Sequence, residues 1–168
     1  MTHSRTRRSQ PLHSGGGLLP AISTLGLSLA LVVGTAAAAS AGGAQGKAAA
    51  ARAMIITNWK TFFNSKTPPA KKVKLVQDGP EFAKVIEAQS KMPLAQGVAS
   101  RVSKVTLDKS MTRAKVVYTV TIQGAAALSN QAGTAILQAG TWKVGAQSFC
   151  ALLALEGSAK QVPVCRAK

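Results

Sequence analysis

The segment Thr141–Cys165, TWKVGAQSFCALLALEGSAKQVPVC, decides how the rest of the chain can fold. It begins with the pattern of a strand over Thr141–Gln147, in which alternate residues such as Trp142 and Val144 share one face. An apolar run over 149–155 follows and stops at a glycine. We interpret this segment as a closing strand against which the upstream elements pack.

Cys150 and Cys165 are the only two cysteines of the chain. An even pair in an exported protein indicates one disulfide, so we expect the closing strand to be tied to its own tail. A loop of this length contributes roughly 3 kcal/mol through chain entropy. The alternative, two free buried thiols, applies if the chain is not exported.

The N-terminus has the order of a secretory leader. Residues 1–17 are polar and basic, Leu18–Ala39 carries no charge, and small residues follow. We predict a signal peptide over residues 1–41, cleaved after Ala41, and a protein that is secreted or held in the cell envelope. The alternative is a membrane anchor formed by residues 18–39, because about 20 apolar residues span a bilayer.

The small residues over 42–52 indicate a flexible linker or the frayed start of a helix. The length of the remaining chain, residues 53–168, indicates a single domain. A helix is expected over Ala50–Asn64, with Ile55, Trp59 and the two phenylalanines after it on one face. A second helix is expected with Thr67 as N-cap and Pro68 at its first position, ending at Asp78-Gly79. A third is expected to open at Pro80.

After Pro93 the apolar period changes from 3.6 to 2 residues. Four strands are predicted, over Val98–Leu107 with an imperfect alternation typical of a bulge, Ala114–Gln123, Ala132–Ala139 and Thr141–Gln147. Lys109-Ser110 is expected to form a turn, and Gly124 to start a loop. Helices followed by an antiparallel meander predict an α+β fold, with N-terminal helices packed on a curved sheet.

The stretches ITNWKTFF, PPAKKVKLVQDGPEF and WKVGAQSFCALLAL resemble the C-terminal domain of the mycobacterial low-molecular-weight secreted antigens. This resemblance covers roughly Ala53 to Cys165 and implies an actinobacterial exported protein with a cone similar to nuclear transport factor 2. It implies no biochemical activity. The chain differs from those antigens in its cysteine pair and its basic character.

In a cone of this kind we expect the interior to be apolar. We expect a small apolar molecule to be held there if the protein is a carrier. The residues expected to line that pocket are Trp59, Phe62, Val116, Tyr118, Val120 and Trp142.

The formal net charge is +16, from 21 basic and five acidic residues. Such a balance favours anionic partners and does not bear on the fold. Lysine predominates, which suits diffuse attraction to anionic lipid or a cell-wall polymer better than specific phosphate recognition. The residues expected to form one basic patch are Lys71, Lys72, Lys74, Arg101, Lys104, Lys109, Arg113 and Lys115.

Catalytic groups are sparse. Both histidines, His3 and His13, lie in the leader, and the five acidic residues lie near predicted helix ends and turns. We therefore predict a non-enzymatic binding module with no cofactor and no metal, and leave open a proton-transfer pair of Tyr118 and Asp108. Nucleic acid is not an expected partner, because no aromatics interleave with the basic residues. The chain is expected to be a monomer, or a homodimer formed through the outer sheet face.

Overall fold

A computed structural model of the protein describes residues 36–166, with side chains described from Gly43 onward. Most of the expected leader, residues 1–35, lies outside the described residues. The elements in chain order are α1 (Ala36–Phe63), α2 (Pro69–Leu75), α3 (Ala83–Ser90), β1 (Val98–Leu107), β2 (Arg113–Ile122), β3 (Ala125–Gln138), β4 (Thr141–Val144), α4 (Ala146–Leu155) and α5 (Pro163–Arg166). The predicted α+β class, helices followed by a curled antiparallel sheet, is confirmed.

Helix α1 is organised around one apolar face. Ala51, Ile55, Trp59 and Phe62 recur every three or four residues and are all buried, as their spacing predicts. The helix begins before the predicted start and is continuous through residues 42–52. Side chains from 43 to 50 are exposed or half-buried, so this first part of α1 adds nothing to the core.

Helix α2 begins one residue later than predicted. Pro68, with φ −57° and ψ 144°, occupies the N-cap position, and Pro69 is the first helical residue. A proline excludes the residue before it from the helical region, so Pro69 keeps Pro68 extended. The expectation that Thr67 caps the helix is therefore wrong.

The end of α2 also differs from the prediction. The helix stops at Leu75 because Val76 leaves it to form a parallel bridge with Val144 of β4. The third predicted helix opens as a 3-10 turn over Gly79–Phe82 and continues as α3.

The sheet is an antiparallel meander in the order β1-β2-β3-β4. β1 has the predicted bounds, and its register with β2 shifts between Val102 and Lys104, which confirms the bulge. β3 starts at Ala125, where a loop was expected, because Gln123 and Gly124 turn the chain with positive φ and the residues after them pair with β2.

Strand β4 ends at Val144, three residues before the predicted end. The amide of Gly145 donates to the Thr134 carbonyl at 2.7 Å, and a Cβ at Gly145 would lie 2.7 Å from that oxygen. The chain turns away at this contact and enters α4, so the apolar run over 149–155 that contains Cys150 is helical. The predicted disulfide is confirmed, with the Cα atoms of Cys150 and Cys165 5.3 Å apart.

The core fills the space between α1 and the concave face of the sheet. Trp59 and Tyr118 meet edge to face with ring centroids 5.3 Å apart. From α4, the ring of Phe149 contacts Phe62 and Phe82 at centroid distances of 5.2 and 5.1 Å. The buried aromatic rings thus join α1, β2, α4 and the turn before α3.

Candidate functional site

The convex face of the sheet carries five basic side chains, which we call the cationic row. Along β2 the even-numbered residues point to α1 and are buried, so the odd-numbered residues face outward. Four members of the row are exposed and Lys143 is half-buried. From β4 to β1, the members are Lys143, Arg113, Lys115, Lys104 and Arg101.

Strand register assembles the row from three strands. Ile136 of β3 pairs with both Lys143 and Arg113, which places those two cations on opposite sides of one β3 residue. On the other side of β2, Lys104 pairs with Val117. With strands about 4.8 Å apart and alternate residues about 7 Å apart along a strand, neighbouring members are spaced roughly 7–10 Å.

The bulge in β1 is what brings Lys104 into the row. Arg101 and Lys104 are three positions apart, so in a regular strand they would point to opposite faces. The extra residue at Ser103 reverses the alternation, and both side chains point outward. The Ser103 hydroxyl donates to the Val117 carbonyl at 3.1 Å, which holds the bulge against β2.

In the described part of the chain no member of the row forms an ion pair, although Lys143 Nζ donates to Gln138 Oε1 at 3.1 Å and Gln138 Nε2 donates in turn to the Asp78 carboxylate at 3.0 Å. Among residues 43–166, the one ion pair joins Lys91 to Glu87 at 3.1 Å, away from the sheet. Unit charges about 8 Å apart in water repel by only about 0.5 kcal/mol, so repulsion between neighbouring members of the row destabilises the fold little. A Debye length of about 8 Å at physiological ionic strength equals this spacing, and an anion near one member feels the next.

The Asp108 carboxylate lies beside the backbone of Arg113 and makes its hydrogen bonds within its own turn. The Asp108 carboxylate accepts the Ser110 hydroxyl at 2.7 Å and the backbone amides of Thr112 and Arg113 at 3.1 and 3.2 Å. The Ser110 hydrogen bond, followed by the backbone donors, lowers the pKa of Asp108 from its usual 3.8. Lys109 is exposed at the tip of this turn.

The residues of the predicted basic patch come from helix α2 and from the first two strands of the sheet with the turn between them. Helix α2, with its three lysines, packs on α1, α3 and β4, whereas β1 and β2 hold most of the row. Lys71 and Lys74 are exposed, but Lys72 is half-buried, and burial lowers its pKa from 10.5. The α2 lysines therefore lie on a helix beside β4, the strand that carries Lys143, and not on the sheet itself.

A shallow cavity of about 220 Å³ lies beside Arg113, the second member of the row. It is smaller than the roughly 300–1,000 Å³ of a site for a drug-sized ligand, so it accommodates one small polar group or sugar. The lining residues are Gln77, Arg113, Thr134, Ile136, Gly145 and Gln147.

The six residues predicted to line an apolar pocket meet in the core. All are buried, with at most 8% of their surface exposed. Trp59 and Tyr118 close directly over Gly133, where a Cβ would lie 3.0 Å from Trp59 Cζ2 and 3.1 Å from Tyr118 Cε1. Burial raises the pKa of Tyr118 to about 12. The indole Nε1 of Trp59 is buried without a hydrogen-bond partner in the part of the chain that the structure describes.

Tyr118 and Asp108 are not brought together as a proton-transfer pair. Tyr118 faces the core, whereas Asp108 lies in the exposed turn and is bonded to the Arg113 amide. Arg113 and Tyr118 are five positions apart along the strand, a distance of roughly 17 Å.

The family model described as "Low molecular weight antigen MTB12, C-terminal domain" matches residues 47–160. The chain belongs to this antigen family. Comparison with curated proteins and with solved structures found no match. The matched MTB12 segment contains the whole sheet and the cationic row, but Cys165 lies beyond it. In residues 36–166, no helix combines the length and apolar character needed to cross a membrane.

Sequence reasoning missed Lys143 as a member of the row. Its position alternates with Trp142 and Val144, so the pattern itself places it on the outer face of β4. What could not be seen was that Ile136 brings it level with Arg113.

Proposed function

We propose that this MTB12-family protein is an exported, non-enzymatic interaction module that docks onto anionic components of the cell envelope through its cationic row. The observation that carries the proposal is a set of five exposed or half-buried cations on one sheet face, none of which forms an ion pair with a carboxylate among the described residues. Each basic residue close to an anionic surface contributes about 1 kcal/mol of attraction.

Three observations support export. The leader pattern in residues 1–41 precedes the domain, the family is one of antigens, and Cys150 is bonded to Cys165. Disulfides persist in oxidising compartments and are rare in the cytosol. Cleavage after Ala41 would shorten only the start of α1, ten residues before Ala51, the first buried residue of α1 among its described side chains.

The non-enzymatic part of the proposal is supported by the positions of the titratable groups. Tyr118 is isolated in the core, and Asp108 is bonded within its own turn. The carrier alternative is not proposed, because Trp59 and Tyr118 already close on Gly133 and leave no room between them for a ligand.

Two variants with equal loss of charge test the proposal. The row variant replaces two arginines and three lysines of the cationic row with Gln: Arg101, Arg113, Lys104, Lys115 and Lys143. The control variant replaces two arginines and three lysines that are exposed elsewhere: Arg52, Arg166, Lys60, Lys66 and Lys160.

Both variants are incubated with washed bacterial envelope fragments, and bound protein is measured by sedimentation at low and high salt. At about 1 kcal/mol per contact, we expect the row variant to bind more than about tenfold more weakly than the parent protein at low salt. The control variant should stay close to the parent, and high salt should release all three. Envelope binding that is insensitive to salt would refute the proposal.

A further inference from the structure

We infer that the partner of the cationic row is a linear polyanion, a flexible chain with phosphate or carboxylate groups at regular intervals, and not a lipid bilayer. This inference rests on the proposed function, because it names the partner of the same row.

The shape of the row suits a chain better than a plane. Its members follow one another from β4 across β2 to β1, at intervals of roughly 7–10 Å. They lie on the convex side of a curled sheet. A flat bilayer touches a convex surface near one point, and attraction to its headgroups fades within a Debye length of about 8–10 Å. A flexible polymer can follow the curvature and meet every member.

The apolar side chains of the outer face, Val117 and Ile136, are half-buried, so among the described residues this face presents no large exposed apolar group with which peripheral proteins enter a bilayer. Membrane-surface binding combines electrostatic attraction with the burial of apolar area. Among the described residues, large exposed apolar side chains lie elsewhere: Met54 on α1, Met92 and Leu94 between α3 and β1, and Leu155 at the end of α4. Leu137 of β3 pairs with buried Trp142 and so belongs to the concave side.

Between the cations the face offers hydroxyl groups. Thr119 pairs with Arg101, and Thr106 and Thr134 both pair with Lys115. Hydroxyls donate to phosphate, carboxylate and sugar oxygens alike. Beside Arg113, the cavity of about 220 Å³ has room for one repeat of such a chain.

A second copy of this protein fits the face poorly. A face-to-face dimer through Val117 and Thr119 would set one cationic row against another, and like charges opposed across an interface disfavour association.

The test measures binding of fluorescently labelled long-chain inorganic polyphosphate, and of polygalacturonate, by fluorescence polarisation. Five contacts predict a slope of about −3.5 in log K against log salt, hence about a hundredfold loss of affinity between about 50 and about 200 mM salt. The row variant should retain little salt dependence, the control variant should keep the slope of the parent, and Lys104→Gln alone should reduce the slope by about 0.7.

Two comparisons complete the test. Inorganic phosphate, at the same total phosphorus, should compete far more weakly than polyphosphate, because it cannot bridge neighbouring members. Vesicles of mixed phosphatidylcholine and phosphatidylglycerol should bind more weakly than either polymer.

The outcomes separate the inference from the proposed function. If vesicles bind in a salt-sensitive way and the polymers bind no better than inorganic phosphate, the inference is overturned and the proposed function stands. If neither polymer nor vesicle binds at low salt, both fail. If the row variant and the control variant lose polymer affinity equally, the cationic row is not the site and the inference is overturned.

Discussion

Gly133→Ala tests whether the core is filled, which is the observation that separates a docking module from a carrier. Gly133 lies in β3 opposite Val116, with the rings of Trp59 and Tyr118 directly above it. An added Cβ would lie 3.0 and 3.3 Å from two carbons of Trp59 and 3.1 Å from one carbon of Tyr118. Comfortable carbon–carbon contacts are about 3.5–4.0 Å, so both rings must shift.

The expected cost follows from two opposing effects. Overpacking a well-packed core costs about 1–3 kcal/mol. Replacing a strand glycine reduces the entropy of the unfolded chain and returns about 0.4–1 kcal/mol. We therefore expect the free energy of unfolding to fall by about 1–2 kcal/mol, and the melting temperature by roughly 4–8 °C for a domain of this size.

The measurement is urea unfolding followed by tryptophan fluorescence, since both Trp59 and Trp142 are buried. Gly46→Ala is the matched control, because no atom lies within 4 Å of its added Cβ on exposed α1, and it should be neutral or stabilise by up to about 1 kcal/mol. Combining Gly133→Ala with Trp59→Phe removes the clashing indole carbons, and the double variant should be less destabilised than the sum of the single variants by at least about 0.5 kcal/mol.

A neutral or stabilising Gly133→Ala would refute the reasoning. It would mean that the space between α1 and β2 has room to spare, and the carrier interpretation with its Trp59–Tyr118 pocket would regain its basis.

Three further predictions address the periphery of the fold. Replacing Cys150 with Ala and Cys165 with Ser should lower the free energy of unfolding by roughly 3 kcal/mol, measured against the parent protein with and without reductant. A decrease smaller than about 1 kcal/mol would contradict the loop-entropy argument. The pKa of Asp108 is lower in the folded state than its usual 3.8, so the stability that its carboxylate contributes is fully present above pH 3.8 and is lost as the pH falls through the lower folded-state pKa. Asp108→Asn should therefore flatten the drop in the urea midpoint between about pH 5 and about pH 3. An unchanged drop would count against this role of Asp108. Gln77→Ala removes the acceptor, 3.1 Å away, of the Ala146 amide at the start of α4, and should cost about 1 kcal/mol in thermal unfolding, whereas no change would show that water replaces the bond.

Local patterns predicted the elements best where packing agrees with them. The face of α1 around Ile55 and Trp59 and the alternation of β2 are both as expected, because each has one buried side. Predictions were poorer at element ends. There, Pro69 displaced the start of α2, Val76 was drawn into a bridge with Val144, and the close contact between Gly145 and Thr134 ended β4.

The sequence by itself determined the α+β class, the apolar faces that pack together, and the pairing of Cys150 with Cys165, because these depend on periodicity and composition. Only the tertiary structure decided which basic side chains lie next to one another on the outer face of the sheet. The β1 bulge turns Lys104 to the outer face, and strand register aligns Lys143 with Arg113 across β3. Tertiary structure also filled the expected pocket, since Gly133 lets two aromatic rings approach the sheet. The local alternation indicated a bulge in β1, but its position at Ser103, the register of the strands and the approach of the rings depend on pairing between segments, which no local pattern encodes.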